Sequence, residues 1–301
     1  MDRLDAMAML IKVTDTGSFS AASKALSVPL ATLSRKVSEL EKQLGTRLLV
    51  RTTRKLSLTE AGIHYVAACK RILEQVEEAE RQATGEYTQP KGELVVTAPQ
   101  MFGRLHVLPL ISEFLALYPD IKVRLLLADH NLDLIEDHVD MAVRIGRLPD
   151  STMVATQVGQ VRVIACANPA LLATTGVPRY PDDLLHMPCV TSDTNRAVAT
   201  WRFTQPGSST LQELNIQPRL SVTNNDAALC AAIRQVGVTR LLHYQAADAI
   251  AQGKLQIILP EFEPPPLPIH LLHTSRGMMP LKMRSFLDFA APRLRQRISA
   301  L

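Results

Sequence analysis

The sequence predicts a multidomain fold in which a small, helix-rich domain and one long helix precede a larger α/β domain of two subdomains. Three observations predict this organisation. Residues 18–58 carry two helical patterns and a short basic hairpin, residues 59–87 carry one helical stripe, and strand-like runs alternate with helical patterns from residue 93 onward. A chain of 301 residues with 47% hydrophobic content is long enough for two or three compact units.

The first three helices are predicted from their apolar spacing and their end signals. An amphipathic helix near the N-terminus presents Leu4, Met7, Leu10, Ile11 and Val13 on one side. A second helix begins near Ser18 or Ser20, either of which can cap a helix, and residues 27–29 interrupt it. Because proline is tolerated in a first helical turn, Pro29 opens a third helix, which Gly45 ends.

The third helix has a packing face and an open face. At about 100° per residue, one narrow stripe contains Leu33, Val37, Leu40 and Leu44, and the opposite side carries Ala31, Ser34, Arg35, Ser38 and Lys42. Small side chains beside one arginine suit a helix that enters a major groove, because they permit close approach while a guanidinium can reach guanine O6 and N7 together. Arg35 is therefore the first candidate for a base contact.

A basic hairpin follows this helix. Two short apolar segments, residues 46–51 and 55–58, surround the polar tip Thr52-Thr53-Arg54 and predict a β-hairpin wing whose basic side chains contact phosphate. Between residues 21 and 58 the anions are Glu39 and Glu41, whereas the cations are Lys24, Arg35, Lys36, Lys42, Arg47, Arg51, Arg54 and Lys55. This excess is denser than the net charge of +4 for the whole chain and favours a polyanionic partner. An ordinary helical hairpin with a solvated charged face is the alternative.

Three blocks, residues 16–26, 33–54 and 58–62, resemble in order and spacing the N-terminal winged helix-turn-helix of LysR-type transcriptional regulators. The resemblance implies transcriptional regulation through double-stranded DNA. Many family members have Gln-Pro where this chain has Leu30-Ala31, so Leu30 is expected to touch a thymine methyl group in place of a glutamine contact. The predicted DNA-binding residues are Ser20, Leu30, Ala31, Thr32, Ser34, Arg35, Lys36, Ser38, Arg51, Thr53, Arg54 and Lys55.

A long helix is predicted after the wing. Thr59 can cap it, and it runs to about Glu86, as the linker helix of the family does. Its apolar positions follow alternating steps of three and four, which is more typical of a seam between two helices than of a cofactor site. Pairing two winged domains supplies affinity and spacing that one lacks. The predicted dimerisation residues, in a homodimer or a homotetramer, are Val66, Cys69, Leu73 and Val76.

From residue 90 the pattern changes to alternating strands and helices, which predicts a mostly parallel sheet with helices on both faces. The predicted elements are strands at residues 93–98, 121–127 and 139–145, a helix that begins at 99–103, and a short helix at 133–137. A second unit begins near Val161 and contains a strand-like segment at 220–223, a helix at 224–235, and strands at 238–242 and 255–258. A proline run at 264–268 leads to a strand at 269–273 and a final helix at 280–297, which is predicted to return to the first unit.

Residues 92–99, 140–146 and 237–242 resemble the LysR effector-binding domain, whose fold is like that of the type 2 periplasmic binding proteins. The implied division is a winged domain (1–58), a linker helix (59–87) and an effector domain (91–301), with subdomain I at about 91–160 and 268–301 and subdomain II at about 161–267. In such a domain small molecules bind where strand ends meet helix N-termini, because backbone N–H groups and the helix dipole attract polar groups. The predicted effector-binding residues are Pro99, Gln100, Met101, Phe102, Ile145, Gly146, Thr191, Asn224 and Asn225.

The nature of the effector stays open at this point. Loop and capping chemistry also explains the predicted cleft residues, since Asn224 caps a helix in either case. An organic anion is favoured by four arginines, although surface or interdomain ion pairs explain them equally well: Arg144, Arg147, Arg196 and Arg240. No cofactor and no metal is predicted, and RNA polymerase is a further implied partner.

Other classes of protein find little support. The scattered cysteines Cys69, Cys166, Cys189 and Cys230 lack the spacing of zinc sites and disulfide frameworks, which indicates free thiols. An enzyme or a solute-binding protein built on the C-terminal domain is the alternative, but the sequence lacks a phosphate loop, a nucleophile motif and a signal peptide. No apolar stretch approaches the roughly 18–20 residues that cross a bilayer, so we expect a soluble, cytoplasmic protein.

Overall fold

A computed structural model of the chain describes residues 2–51, 56–84, 89–130, 132–148, 153–192, 198–207, 210–274 and 279–299. The chain divides into two compact units, Met1–Gln89 and Pro90–Leu301. Throughout the residues so described, no helix is both long enough and apolar enough to cross a membrane.

The N-terminal unit is a helical domain with a two-stranded hairpin and a long final helix. Its elements are α1 (Arg3–Thr16), α2 (Phe19–Leu26), α3 (Leu30–Leu44), β1 (Leu49–Arg51), β2 (Leu56–Leu58) and α4 (Glu60–Thr84). Ser18 caps α2 through a bond from the Ala21 amide to its hydroxyl oxygen. The backbone N–H of Gly45 closes the end of α3, with φ of 66° in the left-handed region that glycine adopts without strain. Pro29 is the residue before α3, one position earlier than a first-turn residue.

One face of α3 forms the centre of the N-terminal core. Leu33, Val37 and Leu40 are buried, and they pack with apolar residues of α1, α2, the hairpin and α4: Ala6, Met9, Leu10, Val13, Ala22, Leu48, Leu49 and Val66. Leu44 was expected on the same buried stripe but is 39% exposed, because it lies in the last turn, where the helix runs past the core. Leu4 is likewise exposed at the start of α1.

The hairpin is attached to α3 by a side chain of α3 itself. The Glu41 carboxylate accepts hydrogen bonds from the amides of Leu48 (2.8 Å) and Leu49 (3.0 Å), where the chain enters β1. β1 and β2 then pair antiparallel, with Leu49 opposite Leu58. This carboxylate therefore satisfies two backbone donors and fixes the start of the hairpin on the helix.

The long helix α4 begins where the hairpin ends and packs closely against it. The Thr59 hydroxyl accepts from the Gly62 amide (2.9 Å), and the Thr59 amide donates to the Leu48 carbonyl (2.9 Å). A Cβ atom at Gly62 would lie 2.0 Å from the Leu48 carbonyl oxygen, so only glycine permits this approach.

The C-terminal unit contains two mixed five-stranded sheets, and the chain crosses between them twice. Its elements in chain order are β3 (Gly92–Ala98), α5 (Gln100–Phe102), a π-helical turn (Gly103–Val107), α6 (Leu108–Leu117), β4 (Ile121–Leu127), β5 (Met141–Ile145), β6 (Val154–Val161), β7 (Val163–Ala167), α7 (Pro169–Thr175), a 3₁₀ helix (Pro181–His186), β8 (Cys189–Thr191), β9 (Ala199–Thr204), β10 (Leu211–Ile216), β11 (Leu220–Ser221), α8 (Asn225–Ile233), β12 (Val238–Leu242), α9 (His243–Ala251), β13 (Gln256–Ile258), a second 3₁₀ helix (Pro260–Phe262), β14 (Leu267–His273) and α10 (Leu281–Ser299).

Each sheet has five strands, in the orders β4-β3-β5-β14-β6 and β11-β8-β12-β7-β13. In each sheet four strands run in the same direction, and one strand, β14 in the first sheet and β7 in the second, runs antiparallel to both of its neighbours. Two of the four strand pairings in each sheet are therefore antiparallel, which corrects the prediction of a mostly parallel sheet, because β7 and β14 each enter their sheet directly after the chain has crossed from the other one. β6 carries the chain out to the second sheet, and β14 brings it back.

The core of the first sheet contains the last helix of the chain. Phe286 of α10 packs edge to face on Phe114 of α6, with ring centroids 5.1 Å apart, and Phe289 lies beside the same ring. Phe114 and Phe286 are among the largest fully buried side chains. The last helix therefore returns to the first sheet and packs against strands that lie nearly two hundred residues earlier in the chain. One hydrogen bond joins the two regions, from the Lys282 ammonium to the Glu93 carbonyl.

Several local expectations differ from the structure. Residues 134–138 form hydrogen-bonded turns where a short helix was expected, because the Asp133 carboxylate accepts from the amides of Ile135 and Glu136. β6, the β9–β10 hairpin and α9 were not predicted.

Gly62→Ala tests the close approach between α4 and the hairpin. The added methyl group must displace the Leu48 carbonyl or the start of α4, so we expect the N-terminal unit to lose about 1–3 kcal/mol in its free energy of unfolding. Urea unfolding followed by far-UV circular dichroism measures this loss. Ala61→Ser, an equally small change at the exposed neighbour, should alter the free energy by no more than about 0.5 kcal/mol, and an equal effect of both variants would contradict the prediction.

Candidate functional site

The face of α3 opposite the core is open within its own domain. Ala31, Arg35, Ser38 and Lys42 are exposed and recur at helical spacing along one side. The side chain of Arg35 is 70% exposed, and its Nε lies 3.9 Å from Oε1 of Glu39 on the next turn. Since Glu39 is exposed too, this pair leaves the guanidinium accessible to another partner.

The remaining predicted residues of α2 and α3 differ in how accessible they are. Leu30 is 46% exposed at the first position of α3, and Ser20 is exposed on α2. Thr32 and Ser34 are half-buried. The Lys36 ammonium is paired with the Asp5 carboxylate of α1, so Lys36 is partly committed to holding α3 on α1.

The predicted wing contacts fall mostly outside the described residues. Thr53, Arg54 and Lys55 lie there, as does the side chain of Arg51. Of the nearby cations, Lys24, Lys42 and Arg47 are exposed. The two acidic residues of α3 are occupied elsewhere, because Glu41 binds the amides of the hairpin and Glu39 faces Arg35. The described part of this surface is therefore positively charged.

The predicted helix seam on α4 is divided by burial. Val66 and Cys69 are buried within their own domain, whereas Leu73 and Val76 are half-buried. Ile72, which is not among the predicted dimerisation residues, is exposed beside them. Burial raises the pKa of the Cys69 thiol. Burial, and then the neighbouring Cys69, raise the pKa of Tyr65 to about 12. Val66 and Cys69 can add little apolar area to a partner.

The effector cleft is the predicted site between the two C-terminal subdomains, and its first wall lies at the carboxyl end of β3. Pro99 precedes α5, and the Gln100 amide donates to the Asp129 carboxylate (2.9 Å), so this donor of the helix N-terminus already has an anion from its own chain. Met101 and Phe102 are buried in the core of the first sheet. Phe102 was predicted to touch the effector but is fully buried, because its ring is a packing element.

The other cleft residues come from strand ends and from the start of α8. Ile145 ends β5, and the following Gly146 has φ of 113°. Thr191 ends β8 beside Ser221 of β11, with its side chain largely buried. The Asn224 side-chain oxygen accepts from the Ala227 amide (2.8 Å), so the capping function expected of it is present. Asn225 begins α8 and is half-buried.

Several contacts cross between the two subdomains, close to the helix N-termini that form the two walls of the cleft. Arg104 Nη2 lies 3.4 Å from Oδ1 of Asp226, in the first turn of α8. Tyr244 of α9 packs edge to face on Phe102 (5.3 Å between centroids) and on His106 (5.4 Å). Sequence reasoning missed these residues, because nothing local in the sequence brings the π-helical turn close to α8 and α9.

His106 is the titratable member of this aromatic contact. Its Nε2 atom is buried without a hydrogen-bond partner within the described structure. Burial lowers the pKa of His106, and the positive charge of Arg297 lowers it further. The ring is therefore neutral near neutral pH and packs as an apolar group between Phe102 and Tyr244.

The four arginines proposed for an anion have different surroundings. Arg144 is buried and donates to the Leu132 carbonyl (2.7 Å), and burial lowers its pKa. Burial and then Arg202 lower the pKa of Arg240 to about 10, and its guanidinium lies 6.0 Å from the Phe203 ring. Arg147 is exposed just after Gly146, and Arg196 lies outside the described residues. Arg144 is therefore a structural residue, and Arg147 is the described arginine next to the cleft.

The cysteines form no described disulfide or cluster. Cys69, Cys166 and Cys189 are buried and Cys230 is exposed. Burial raises the pKa values of both Cys166 and Cys189 to about 12, so these thiols stay protonated and unreactive at neutral pH.

Two family models match nearly the whole chain. The model described as "Bacterial regulatory helix-turn-helix protein, lysR family" matches residues 4–63, and the model described as "LysR substrate binding domain" matches residues 88–295. An "HTH-type transcriptional regulator" of Xanthomonas campestris pv. campestris is 36% identical over 95% of this chain and 84% of its own length.

Solved structures agree with the sequence relatives. The full-length virulence activator AphB of Vibrio cholerae is 26% identical with a TM-score of 0.61, covering 96% of this chain and 98% of its own. CrgA of Neisseria meningitidis, a LysR-type transcriptional regulator, is 29% identical with a TM-score of 0.62 and the same coverage. The predicted fold class, a helix-turn-helix domain followed by an α/β domain of two subdomains, is confirmed.

Lowering the pH is expected to destabilise the C-terminal unit through His106. Because the folded pKa is lowered, the unfolded chain binds this proton first, so the stability is complete above about pH 6.5 and is lost below it. The slope from this group reaches ~1.4 kcal/mol per pH unit. His106→Phe keeps a ring but cannot titrate, and should give a shallower slope in urea unfolding followed by the fluorescence of Trp201, the single tryptophan.

The slope should not vanish in this variant, because burial also lowers the pKa values of His243 and His270. His186→Gln, at an exposed histidine of the same unit, is the matched control and should keep the wild-type slope. Equal slopes for His106→Phe and the wild type would refute the role of His106.

Proposed function

This chain belongs to the LysR family of bacterial helix-turn-helix transcriptional regulators, and from that premise we propose that it reads DNA through the exposed face of α3. The observation that carries the proposal is the division of α3 into a buried face and an open one. Leu33, Val37 and Leu40 hold the helix in the domain, so the side that bears Arg35 is left for the major groove.

The chemistry of the open face fits direct reading of bases. Ala31 and Ser38 are small enough to let the helix backbone approach, and Arg35 between them can donate two bonds to one guanine. Leu30, exposed at the start of α3, offers an apolar contact for a thymine methyl group. The exposed cations Lys24, Lys42 and Arg47 are suited to phosphate, which positions the domain without specifying sequence.

Two such domains are proposed to act together through α4. A single winged domain contacts one half-site, and pairing two of them adds affinity and fixes the half-site spacing. The half-exposed Leu73 and Val76 and the exposed Ile72 supply apolar area for a second copy. A homodimer or a homotetramer satisfies this requirement, and RNA polymerase is a further proposed partner of the assembled regulator.

A small molecule in the cleft of the C-terminal domain is proposed to control DNA binding. The walls present Gln100, Thr191 and Asn225 as polar groups at strand ends and helix starts. A ligand changes the arrangement of the subdomains only if it binds one arrangement more tightly than another. Because Asp129 and Asp226 already place carboxylates at the two helix starts, a polar or zwitterionic ligand suits the cleft better than a multiply charged anion.

Arg35→Ala and Lys42→Ala separate base reading from phosphate binding. Arg35→Ala should reduce discrimination between the operator and unrelated duplexes by ~1–3 kcal/mol, whereas Lys42→Ala should weaken all duplexes alike and lower the salt slope by about one. Fluorescence anisotropy over a salt series, with the segment upstream of its own or the neighbouring gene, measures both. Gln43→Ala, on the same helix but off this face, is the control. Undiminished discrimination by Arg35→Ala would count against the proposal.

Thr191→Val tests the cleft. Compounds from a metabolite library that change operator binding should raise the melting temperature of the wild type and of Thr174→Val, whose threonine is exposed on α7. They should raise that of Thr191→Val less, since a hydroxyl partner of the ligand is lost. A compound that alters operator binding yet stabilises both variants equally would act elsewhere and contradict a cleft effector.

A further inference from the structure

A cavity of about 460 Å³ lies at the hinge of the C-terminal unit, at the point where both crossovers pass between the subdomains. Its walls come from the end of β6 (Val161), from the two crossover segments (Arg162 and Pro266), from the first residue of α9 (His243), and from α10 (Arg295 and Ile298). The volume falls within the roughly 300–1,000 Å³ typical of small-molecule sites. No residue predicted for the effector cleft lines it.

The two crossovers are joined beside this cavity by an ion pair. Arg162 Nε and Nη2 bond to the two carboxylate oxygens of Glu263 at 2.8 and 2.7 Å, in a two-pronged arrangement. Glu263 is largely buried and Arg162 is about half exposed, so the guanidinium keeps a free edge next to the cavity. The charge of Arg162 is compensated by this partner.

Arg295 supplies the uncompensated charge. It is exposed on α10, and its Nη2 donates to the backbone carbonyl of Gln157 at 3.3 Å. Among the described residues, no carboxylate lies within ion-pair distance of Arg295. His243 adds a ring nitrogen that can hydrogen-bond, and burial together with Arg162 lowers its pKa, so the ring is neutral near neutral pH. The described charged groups at the cavity therefore leave one net positive charge.

Most of the remaining lining is apolar, and its polar residues are Gln160 and Ser299. Val161, Pro266 and Ile298 contribute hydrocarbon surface to the cavity, so a ligand here needs an apolar body as well as an anionic group. A bare inorganic anion would leave that surface in water, and an uncharged apolar molecule would leave the guanidinium of Arg295 without a counter-charge. We propose that the hinge cavity binds small apolar organic acids, an aryl or branched alkyl carboxylate, with Arg295 holding the carboxylate.

This site is separate from the cleft and does not depend on the proposed function. A molecule bound there contacts both crossovers and α10, and it stabilises the hinge angle at which these segments lie around it. It therefore provides a second input to the arrangement of the subdomains, alongside a cleft ligand.

The test is a thermal-shift titration of the full chain, without DNA, with phenylacetate and isovalerate as probes and phenylacetamide as the uncharged match. Both acids should raise the melting temperature of the wild type, and the amide should not. Arg295→Gln should need about ten to a hundred times more acid for the same shift, because a charge-assisted bond is lost. Arg295→Lys keeps the charge and should retain a measurable shift.

Arg284→Gln is the matched control, since Arg284 is an exposed cation in the first turn of the same helix, roughly 16 Å along its axis from Arg295. It should respond to the acids as the wild type does. A full response in Arg295→Gln, an equal response to phenylacetamide, or no response of the wild type to either acid would each overturn the proposal. Because no DNA is present, none of these results bears on operator binding.

Discussion

The packing of α3 is the constraint on which the DNA-binding domain depends. Leu33, Val37 and Leu40 are buried against α1, α2, the hairpin and α4, and a rotation of the helix would bring charged or polar groups into that core. The same burial therefore determines which residues face outward. Arg35 is exposed because the residues on the other side of the helix are not free to leave the interior. In the proposed function, stability and DNA recognition thus depend on opposite faces of one helix.

In the C-terminal unit the corresponding constraint is that the chain crosses twice between the two five-stranded sheets. β6 leaves the first sheet and β14 returns to it, and the two pair with each other there. The subdomains are consequently linked by two adjacent segments. These segments allow the subdomains to rotate relative to each other but restrict the axis of that rotation. Contacts on the cleft side, Arg104 with Asp226 and Tyr244 with Phe102 and His106, bias the position around that axis.

Features that depend on neighbouring residues were predictable, and features that join distant ones were not. The start and end of α3, the parallel strands β3 and β4, and the Asn224 cap follow from local spacing and capping chemistry. The antiparallel half of each sheet, the burial of Phe102 and the cap of Gln100 by Asp129 arise only when remote segments meet. Leu44 shows the limit of periodicity, since a helical stripe does not reveal where the core beneath it stops.

The carboxylate of Glu41 has a consequence for how such a regulator can diversify. By accepting hydrogen bonds from the first amides of the hairpin, it attaches the hairpin to α3, the helix proposed to read bases. In the proposed function, the offset between the bases that α3 reads and the phosphates that the hairpin contacts is then the same at every DNA site. Under that proposal, new operators are accessible by exchanging outward side chains of α3, whereas a one-base-pair insertion within a half-site would break either the base contacts or the phosphate contacts of the domain. Tolerance of variable spacing between half-sites must then come from the connection between two paired DNA-binding domains.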